Sequence, residues 1–346
     1  MIDTLAVVGA TGAVGRIIVE LLVSRRFPAK RIRLLASARS AGRPMEVAGT
    51  RFEVEELRPE SFAGVDVAIG STPDEVAAEF VPWAVERGTV VVDESAFYRM
   101  NPGVPLVIPE VNPGAIAGHT GIIASPNCST TQMVMVMKPL HDAARVRRVV
   151  VSTYQAVSGA GLAASQELRQ ATAGWLAGGA EPRQIFPHPI AANLIPQIGS
   201  PRPNGFTSEE MKMVLETRKI LGDESIQVSA TCIRVPVANG HSESILIETE
   251  TKLSADKARH LLAGFPGVVV EDDLGAKHYP QPRTASGRDE VFVGRIREDI
   301  SCPNGIALWC VSDNLRKGAA TNAVQIAEYL ATQTAARAGG GRTVPA

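Results

Sequence analysis

No apolar stretch of this 346-residue chain nears the ~18 residues that a membrane-spanning helix needs, so no membrane partner is expected. Charge of one sign is not in excess: 35 Lys and Arg stand against 36 Asp and Glu, a formal net charge of −1. That balance gives no basic surface, and nucleic acid is not an expected partner. The four cysteines, Cys128, Cys232, Cys302 and Cys310, lack metal-ligand spacing, and a chain of this length can build its core without disulfides. No metal is expected, and the protein reads as reduced and cytoplasmic. The first residues have no charged segment ahead of an apolar one, so secretion is not expected. Internal repeats and long low-complexity linkers are missing too. What remains is globular: 45% hydrophobic residues, in a chain too long for one ordinary core.

Leu5-Ala6-Val7-Val8 has the short apolar character of a buried parallel strand. It runs into Gly9-Ala10-Thr11-Gly12-Ala13-Val14-Gly15, and Ile17 to Leu22 then reads as a helix. Strand, glycine turn and helix in that order form a dinucleotide fingerprint, with a pyrophosphate expected on the helix N-terminus. The spacing is GxxGxxG, so its place between strand and helix carries the reading. The second strand, Arg31 to Ala36, ends where NAD sites carry a carboxylate for the ribose diol. Here the chain reads Ser37-Ala38-Arg39-Ser40. A cation and hydroxyls suit a 2′-phosphate, so NADP is the expected cofactor. Further strands at Val65–Gly70, Val90–Asp93 and Gly121–Ala124 alternate with helical patterns, which predicts a parallel, doubly wound sheet.

That sheet ends at Ser125-Pro126-Asn127-Cys128-Ser129-Thr130, followed by the apolar run Gln132 to Met137. Pro126 cannot extend a strand, and Ser129 and Thr130 are helix-start residues. Cys128 is thus expected at a helix N-terminus, where unpaired N–H groups and the helix dipole stabilise a thiolate and an oxyanion. A small buried cysteine packing as a hydrophobe is the plainer alternative. Beyond this point, Arg148–Gln155, Gln227–Arg234 and Ser244–Thr249 alternate apolar and polar residues, which predicts a mixed or antiparallel sheet covered on one face, completed by Phe292–Arg297 and Ile306–Val311. Arg234 within such a strand needs an anion, either a substrate carboxylate or a structural partner such as Glu243. Taken alone, His241 reads as a turn residue and Lys212 as an i,i+3 partner of Glu209.

Cys128, Gln155, Arg234 and His241, with the glycine turn, resemble the aspartate-β-semialdehyde dehydrogenase family, its shorter bacterial branch in particular. The resemblance spans the chain through Gly9–Gly15, Pro126–Ser129, Ser152–Gly161, Glu209–Lys212, Arg234-Val-Pro-Val, His241–Ser244 and Ser312–Ala319. It implies a glyceraldehyde-3-phosphate-dehydrogenase-like α/β fold: an N-terminal Rossmann-like domain and an α+β catalytic and dimerisation domain. The first would cover 1–127 and be completed by a C-terminal helix, 315–332; the second would cover 128–314, with 337–346 a disordered tail.

The reaction implied is reduction of L-aspartyl-4-phosphate to L-aspartate-4-semialdehyde with NADPH, releasing inorganic phosphate, on the route to lysine, diaminopimelate, threonine, methionine and isoleucine. Carried over, Cys128 is the nucleophile and His241 the acid/base, able to gain or lose a proton near neutral pH. Gln155 positions substrate, Arg234 and Glu209 hold its carboxylate and amino group, and Arg99, Lys212 and Asn127 take phosphate. Gly9, Thr11, Gly12, Ala13, Val14, Arg39, Ser40, Ser158, Gly159 and Asn314 contact NADP. The turn Ser71-Thr72-Pro73-Asp74 departs from the family and is closer to N-acetylglutamyl-phosphate reductases, so it stays outside the site. A homodimer or a dimer of dimers is implied. The competing readings are another acyl-phosphate reductase, such as one for N-acetylglutamyl phosphate, and a catalytically silent NADP-binding scaffold.

Overall fold

A computed structural model describes residues 2–339, in which the chain forms two compact units. One runs to Pro126 and takes in the chain from Ala319 onward; the other is Asn127–Gly318. Asn127 thus falls in the second unit, with the nucleophile it precedes, and the closing segment rejoins the first unit a few residues after the expected 315.

The first unit is built from β1 (Ile2–Val8), α1 (Ala13–Ser24), β2 (Ala29–Ala36), β3 (Pro44–Val47), β4 (Thr50–Glu56), β5 (Val67–Gly70), α2 (Asp74–Glu86), β6 (Val90–Asp93) and β7 (Ile122–Ala124). Its sheet has the order β3-β4-β2-β1-β5-β6-β7, parallel except for the β3–β4 pair. Val7, Val8, Leu34, Leu35, Ala68 and Ile69 are fully buried, as strands covered on both faces require. The chain leaves β1 toward β2 and β4, then returns to β5 on the other side. The carboxyl ends of β1 and β5 therefore flank the switch point where open α/β sheets bind ligands.

The β3–β4 hairpin has no strong sequence signal. Ala48 and Gly49 make its two-residue turn, both at positive φ (50° and 74°), without the Asn-Gly or Asp-Gly pair that marks such turns. Pro105–Pro109, an extended segment in the sequence, enters the sheet through one bridge only, Leu106 to Ala124.

The second unit contains α3 (Cys128–Ala144), β8 (Val146–Gln155), α4 (Leu162–Leu176), α5 (Ser208–Leu221), β9 (Gln227–Arg234), β10 (His241–Thr249), α6 (Ala255–Ala263), β11 (Val268–Val270), α7 (Pro282–Ala285), β12 (Val291–Glu298) and β13 (Gly305–Ser312). The sheet order is β11-β12-β13-β10-β8-β9, mixed as the alternating pattern predicts. β8 and β9 are parallel, while β10 is antiparallel to both β8 and β13. The face bearing Val149, Val151, Ile245, Ile247 and Leu308 is buried under α3. The opposite face carries Tyr154 and Trp309, their rings 5.4 Å apart, and a partly exposed Leu246.

Helix α8 (Thr321–Gly339) returns to the first unit. Its Asn322 Nδ2 donates to Val107 O (2.9 Å) and Ser125 Oγ (3.0 Å), tying the helix to the end of β7. The helix runs past the expected 332 and includes 337–339 of the tail expected to be disordered; 340–346 lie outside the described residues. Among the described residues no helix is long and apolar enough to cross a membrane, and no cluster of His, Cys, Asp and Glu could hold a metal ion.

Candidate active site

Cys128 opens α3, so the helix start expected on both sides of it is present. The cap differs from the expectation. Asn127, not Ser129 or Thr130, is the N-cap, and its Oδ1 accepts from Ser129 N–H (3.0 Å) and Thr130 N–H (3.2 Å). Ser129 and Thr130 supply the first-turn amides instead. Asn127 is held from α5 as well: Nδ2 donates to Glu209 Oε1 (2.8 Å) and the backbone N–H to Glu216 Oε2 (2.7 Å). With its carbonyl oxygen spent on the cap and an amide hydrogen on Glu209, Asn127 is committed to shaping the turn before it meets any phosphate. Cys128 is half-buried and in no disulfide. A Cβ on Gly318 would stand 2.8 Å from Cys128 Cβ, so only glycine fits there without displacing the nucleophile.

The sheet brings the remaining residues to one edge. Gln155 ends β8 and Arg234 ends the parallel β9, directly paired in register. His241 begins the antiparallel β10, whose partner there is Ser312, the last residue of β13. Four chain segments far apart in sequence therefore meet at the same end of the sheet. Gln155, Arg234 and His241 are all buried. Ala156 holds two of them: its N–H donates to His241 Nδ1 (3.0 Å) and its carbonyl accepts from Arg234 Nη1 (2.6 Å). Arg234 makes no ion pair with Glu243, the structural partner considered from sequence; the Glu243 oxygens are buried without a hydrogen bond.

Glu209 sits against this group on α5. The helix starts at a capping box in which Thr207 Oγ1 accepts from Glu210 N–H and Glu210 Oε2 accepts from Thr207 N–H. Glu210 Oε1 also accepts from Cys232 N–H (3.0 Å), pinning α5 to β9. Glu209 then accepts from Asn127, from Gln155 Nε2 (3.2 Å) and from Lys212 Nζ (3.1 Å). Burial opposes its ionisation, but the Lys212 charge and these three hydrogen bonds override it and hold its pKa at about 2. Both readings of Lys212 meet here, since it is the i,i+3 partner of Glu209 and stays about one-third exposed. His241 departs from the expected titration near neutrality: burial, then the Arg234 charge, push its pKa down to about 3 against a smaller opposing pull from Glu209.

Ser158, Gly159 and Asn314 border the same edge. Ser158 Oγ donates toward Asn239 Oδ1 (3.0 Å) and Asn314 Oδ1 (3.1 Å), which also accepts from Gly240 N–H (3.0 Å). Asn314 Nδ2 is buried without a partner, a donor set for a ligand's acceptor.

Gly9, Thr11, Gly12, Ala13, Val14, Arg39, Ser40 and Arg99 belong to the first unit. Gly9 has φ 81°, and a Cβ there would meet Ser71 O at 2.2 Å; one on Gly15 would meet Gly9 O at 2.2 Å. No side chain caps α1, whose N-cap is Gly12. This is a bare helix start in a turn where Gly9, Gly12 and Gly15 carry no Cβ, which fits a pyrophosphate. The Ser71–Asp74 turn set aside from sequence lies directly against Gly9, a proximity that only the β1–β5 pairing creates. Arg39 is exposed in the turn after β2 and makes no ion pair among the described residues. Arg99 is buried, its Nη2 donating to Glu94 O (2.7 Å).

Known proteins resemble this chain along nearly its whole length. Residues 4–119 match the family model "Semialdehyde dehydrogenase, NAD binding domain" and 137–317 match "Semialdehyde dehydrogenase, dimerisation domain". The first match makes the glycine-turn unit a binder of a nicotinamide cofactor. The aspartate-semialdehyde dehydrogenase of Aquifex aeolicus is 51% identical over 329 residues, 94% of this chain and 97% of that one. The crystal structure of Vibrio cholerae aspartate semialdehyde dehydrogenase II, complexed with ASA, has a TM-score of 0.93 at 44% identity, covering 96% of this chain and 99% of that one. The Candida albicans enzyme, solved with NADP, has a TM-score of 0.75 at 28% identity, covering 95% and 98%. With identity this high along nearly the whole chain, the protein belongs to the aspartate-semialdehyde dehydrogenases, enzymes of amino-acid biosynthesis.

Proposed function

We propose that the enzyme reduces L-aspartyl-4-phosphate to L-aspartate-4-semialdehyde through a thioester on Cys128. The observation that carries this reading is the sheet edge holding Gln155, Arg234 and His241 beside an ionised, buried Glu209. A buried cation and a buried anion together suit a zwitterion. Arg234 takes the α-carboxylate and Glu209 the α-ammonium. An acetylated amino group would bring no charge to Glu209, which disfavours an N-acetylglutamyl phosphate.

The Cys128 thiolate, supported by the positive end of the α3 dipole, attacks the acyl carbon. The carbon–oxygen bond to phosphate breaks, its electron pair leaves with the phosphate, and Lys212 and Arg99 are the cations suited to receive that charge. Asn127 keeps the turn in shape rather than holding phosphate itself. When bound, a nicotinamide cofactor would supply the hydride that reduces the thioester carbon, and the carbon–sulfur bond would then break, with Cys128 leaving as thiolate and the aldehyde released. Phosphate-dependent reduction of NADP with L-aspartate semialdehyde tests the assignment in reverse; no turnover with that aldehyde, and turnover with an N-acetylated one, would refute it.

NADP is the proposed form of the cofactor. Arg39 stands exposed in the turn after β2, the segment 37–42 carries no carboxylate to meet a ribose diol, and charge-assisted bonds to a 2′-phosphate contribute roughly 1.5–3 kcal/mol each. NADP should be preferred by about 10- to 100-fold in kcat/KM. Arg39→Ala should weaken NADP and leave NAD use almost unchanged; equal loss with both would mean that Arg39 supports the fold. Ser158, Gly159 and Asn314 are proposed as further cofactor contacts, the unpartnered Asn314 amide offering the donor.

The assembly proposed is a homodimer through the Tyr154–Trp309–Leu246 face, which a single layer of helices leaves open. Such an interface should bury more than ~2,000 Å². Sedimentation at micromolar concentration should show a dimer, or a tetramer if dimers pair; a monomer would rule the interface out.

A further inference from the structure

The turn Ser71–Asp74 and the residue that follows β6, Glu94, meet at the carboxyl edge of the first unit's sheet. Glu94 N–H donates to Gly70 O (3.0 Å), and Asp74 Oδ1 accepts from Ala96 N–H (2.8 Å), so the turns after β5 and β6 are tied together. Neither bond uses the Glu94 side chain. Both of its carboxyl oxygens are buried and lack a hydrogen bond, and the Thr72 hydroxyl oxygen is in the same condition. Buried polar atoms are nearly always paired, so orphans in adjoining turns mark a place where a polar ligand completes the set. Burial raises the Glu94 pKa to about 8, against smaller opposing pulls from Ser71 and the Arg99 charge. Near neutrality the carboxyl is therefore mostly uncharged, with a hydrogen to donate and oxygens to accept.

The place in the sheet says which ligand group can arrive. A Cβ on Gly9 would collide with Ser71 O and press on Thr72 Cγ2, so this edge adjoins the glycine turn that fits a pyrophosphate. In the sheet order β2-β1-β5-β6, Arg39 follows β2 on one side of that turn, while Thr72 and Glu94 follow β5 and β6 on the other. A dinucleotide with its adenosine end at Arg39 and its pyrophosphate on α1 carries its second ribose to the β5–β6 side. That ribose is an uncharged vicinal diol. Two hydroxyls, each a donor and an acceptor, match a protonated carboxyl and a threonine hydroxyl. A phosphate matches poorly, since its oxygens only accept and its charge would oppose any ionisation of Glu94.

We propose that Glu94 and Thr72 form a subsite for the ribose diol of the cofactor's nicotinamide half, and so select a complete dinucleotide over its adenosine fragment. The proposal rests on the NADP reading above. Glu94 then serves two partners from one position: its carbonyl holds Arg99 through Nη2 (2.7 Å), and its side chain meets the cofactor. Truncating the side chain leaves that carbonyl in place, which separates the two roles. The neighbouring Asp93 is committed elsewhere, since its carboxyl oxygens accept from Ser95 Oγ (2.6 Å) and Ser95 N–H (3.2 Å).

Isothermal titration of the full-length enzyme with three probes is the test. They are NADP, 2′-phospho-ADP-ribose, which lacks the nicotinamide, and adenosine 2′,5′-bisphosphate, which lacks the second ribose and its phosphate as well. Glu94→Ala should weaken NADP and 2′-phospho-ADP-ribose by about tenfold each, from two lost hydrogen bonds, and leave adenosine 2′,5′-bisphosphate within about twofold. Thr72→Val, close to isosteric, should weaken the same two by about threefold and spare the third, and it carries the test if Glu94→Ala does not fold. Glu94→Gln, which keeps a donor and an acceptor, should stay within about threefold of wild type. Equal loss with all three probes would make Glu94 and Thr72 supports of the turn, and loss with NADP alone would put the nicotinamide ring there in place of the ribose; either overturns the proposal. A wild type that binds none of the probes would refute the NADP reading and this proposal with it. A wild type that binds all three, with affinities unchanged in Glu94→Ala and Thr72→Val, would remove this inference alone.

Discussion

Cys128→Ser should lower turnover by about 10³-fold or more while leaving NADP binding intact, because a serine hydroxyl is not ionised near neutral pH. The helix start stabilises an anion already present on sulfur and cannot produce one on an alcohol. Binding should survive because the glycine turn belongs to the other unit. The remaining cysteines have no such setting. Burial pushes the Cys232 and Cys310 thiols up, away from thiolate, and Cys232 lies against Met213 in the core. Serine at Cys232, Cys302 or Cys310 should keep activity, with a modest stability loss at the two buried positions. Stopped-flow turnover, cofactor titration and mass mapping after alkylation decide the matter. Inactivation that tracked modification of Cys232 would place the nucleophile elsewhere.

The second large effect is expected at Arg234. Arg234→Lys keeps the charge but loses the planar fork, and the shorter-reaching ammonium cannot hold Ala156 O and a carboxylate together. Two charge-assisted bonds at roughly 1.5–3 kcal/mol each put the loss in kcat/KM at about 10²- to 10³-fold. Most of it should appear in KM for aspartate semialdehyde, with KM for NADP unchanged. The melting temperature separates this from a structural role. Arg234 is buried and hydrogen-bonded to the main chain, so some loss of stability is expected. A large drop in melting temperature with KM unchanged would show that Arg234 only braces the edge of the sheet.

Local pattern in the chain was enough to read the parallel strands, the glycine turn and the helix that Cys128 opens. Each of these depends on residues adjacent in sequence: apolar runs for strands buried on both faces, glycines where a Cβ would collide, and a proline closing a strand. Helix α4 has no side-chain cap and the β3–β4 hairpin no Asn-Gly turn to mark it out, whereas α6 has a legible start at Ser254, whose Oγ accepts from Lys257 N–H, and went unread. Part of the site was legible only as a resemblance. Gln155, Arg234 and His241 carry almost no signal singly, because nothing local says that a turn residue and two strand ends will meet.

The tertiary structure decided that meeting. Parallel β8 and β9 end side by side, and antiparallel β10 begins there, so three unrelated positions become one edge. It also decided the chemical state of each group. Asn127 is the cap because α5 supplies Glu209 and Glu216 to hold it. Glu209 stays ionised, though buried, because Asn127, Gln155 and Lys212 converge on it. His241 Nδ1 accepts from the Ala156 N–H because β10 begins beside the end of β8. Sequence determines which groups the chain owns and which helix or strand carries them. Protonation, cap and partner are long-range electrostatic and hydrogen-bonding outcomes, and they exist only once distant segments desolvate one another.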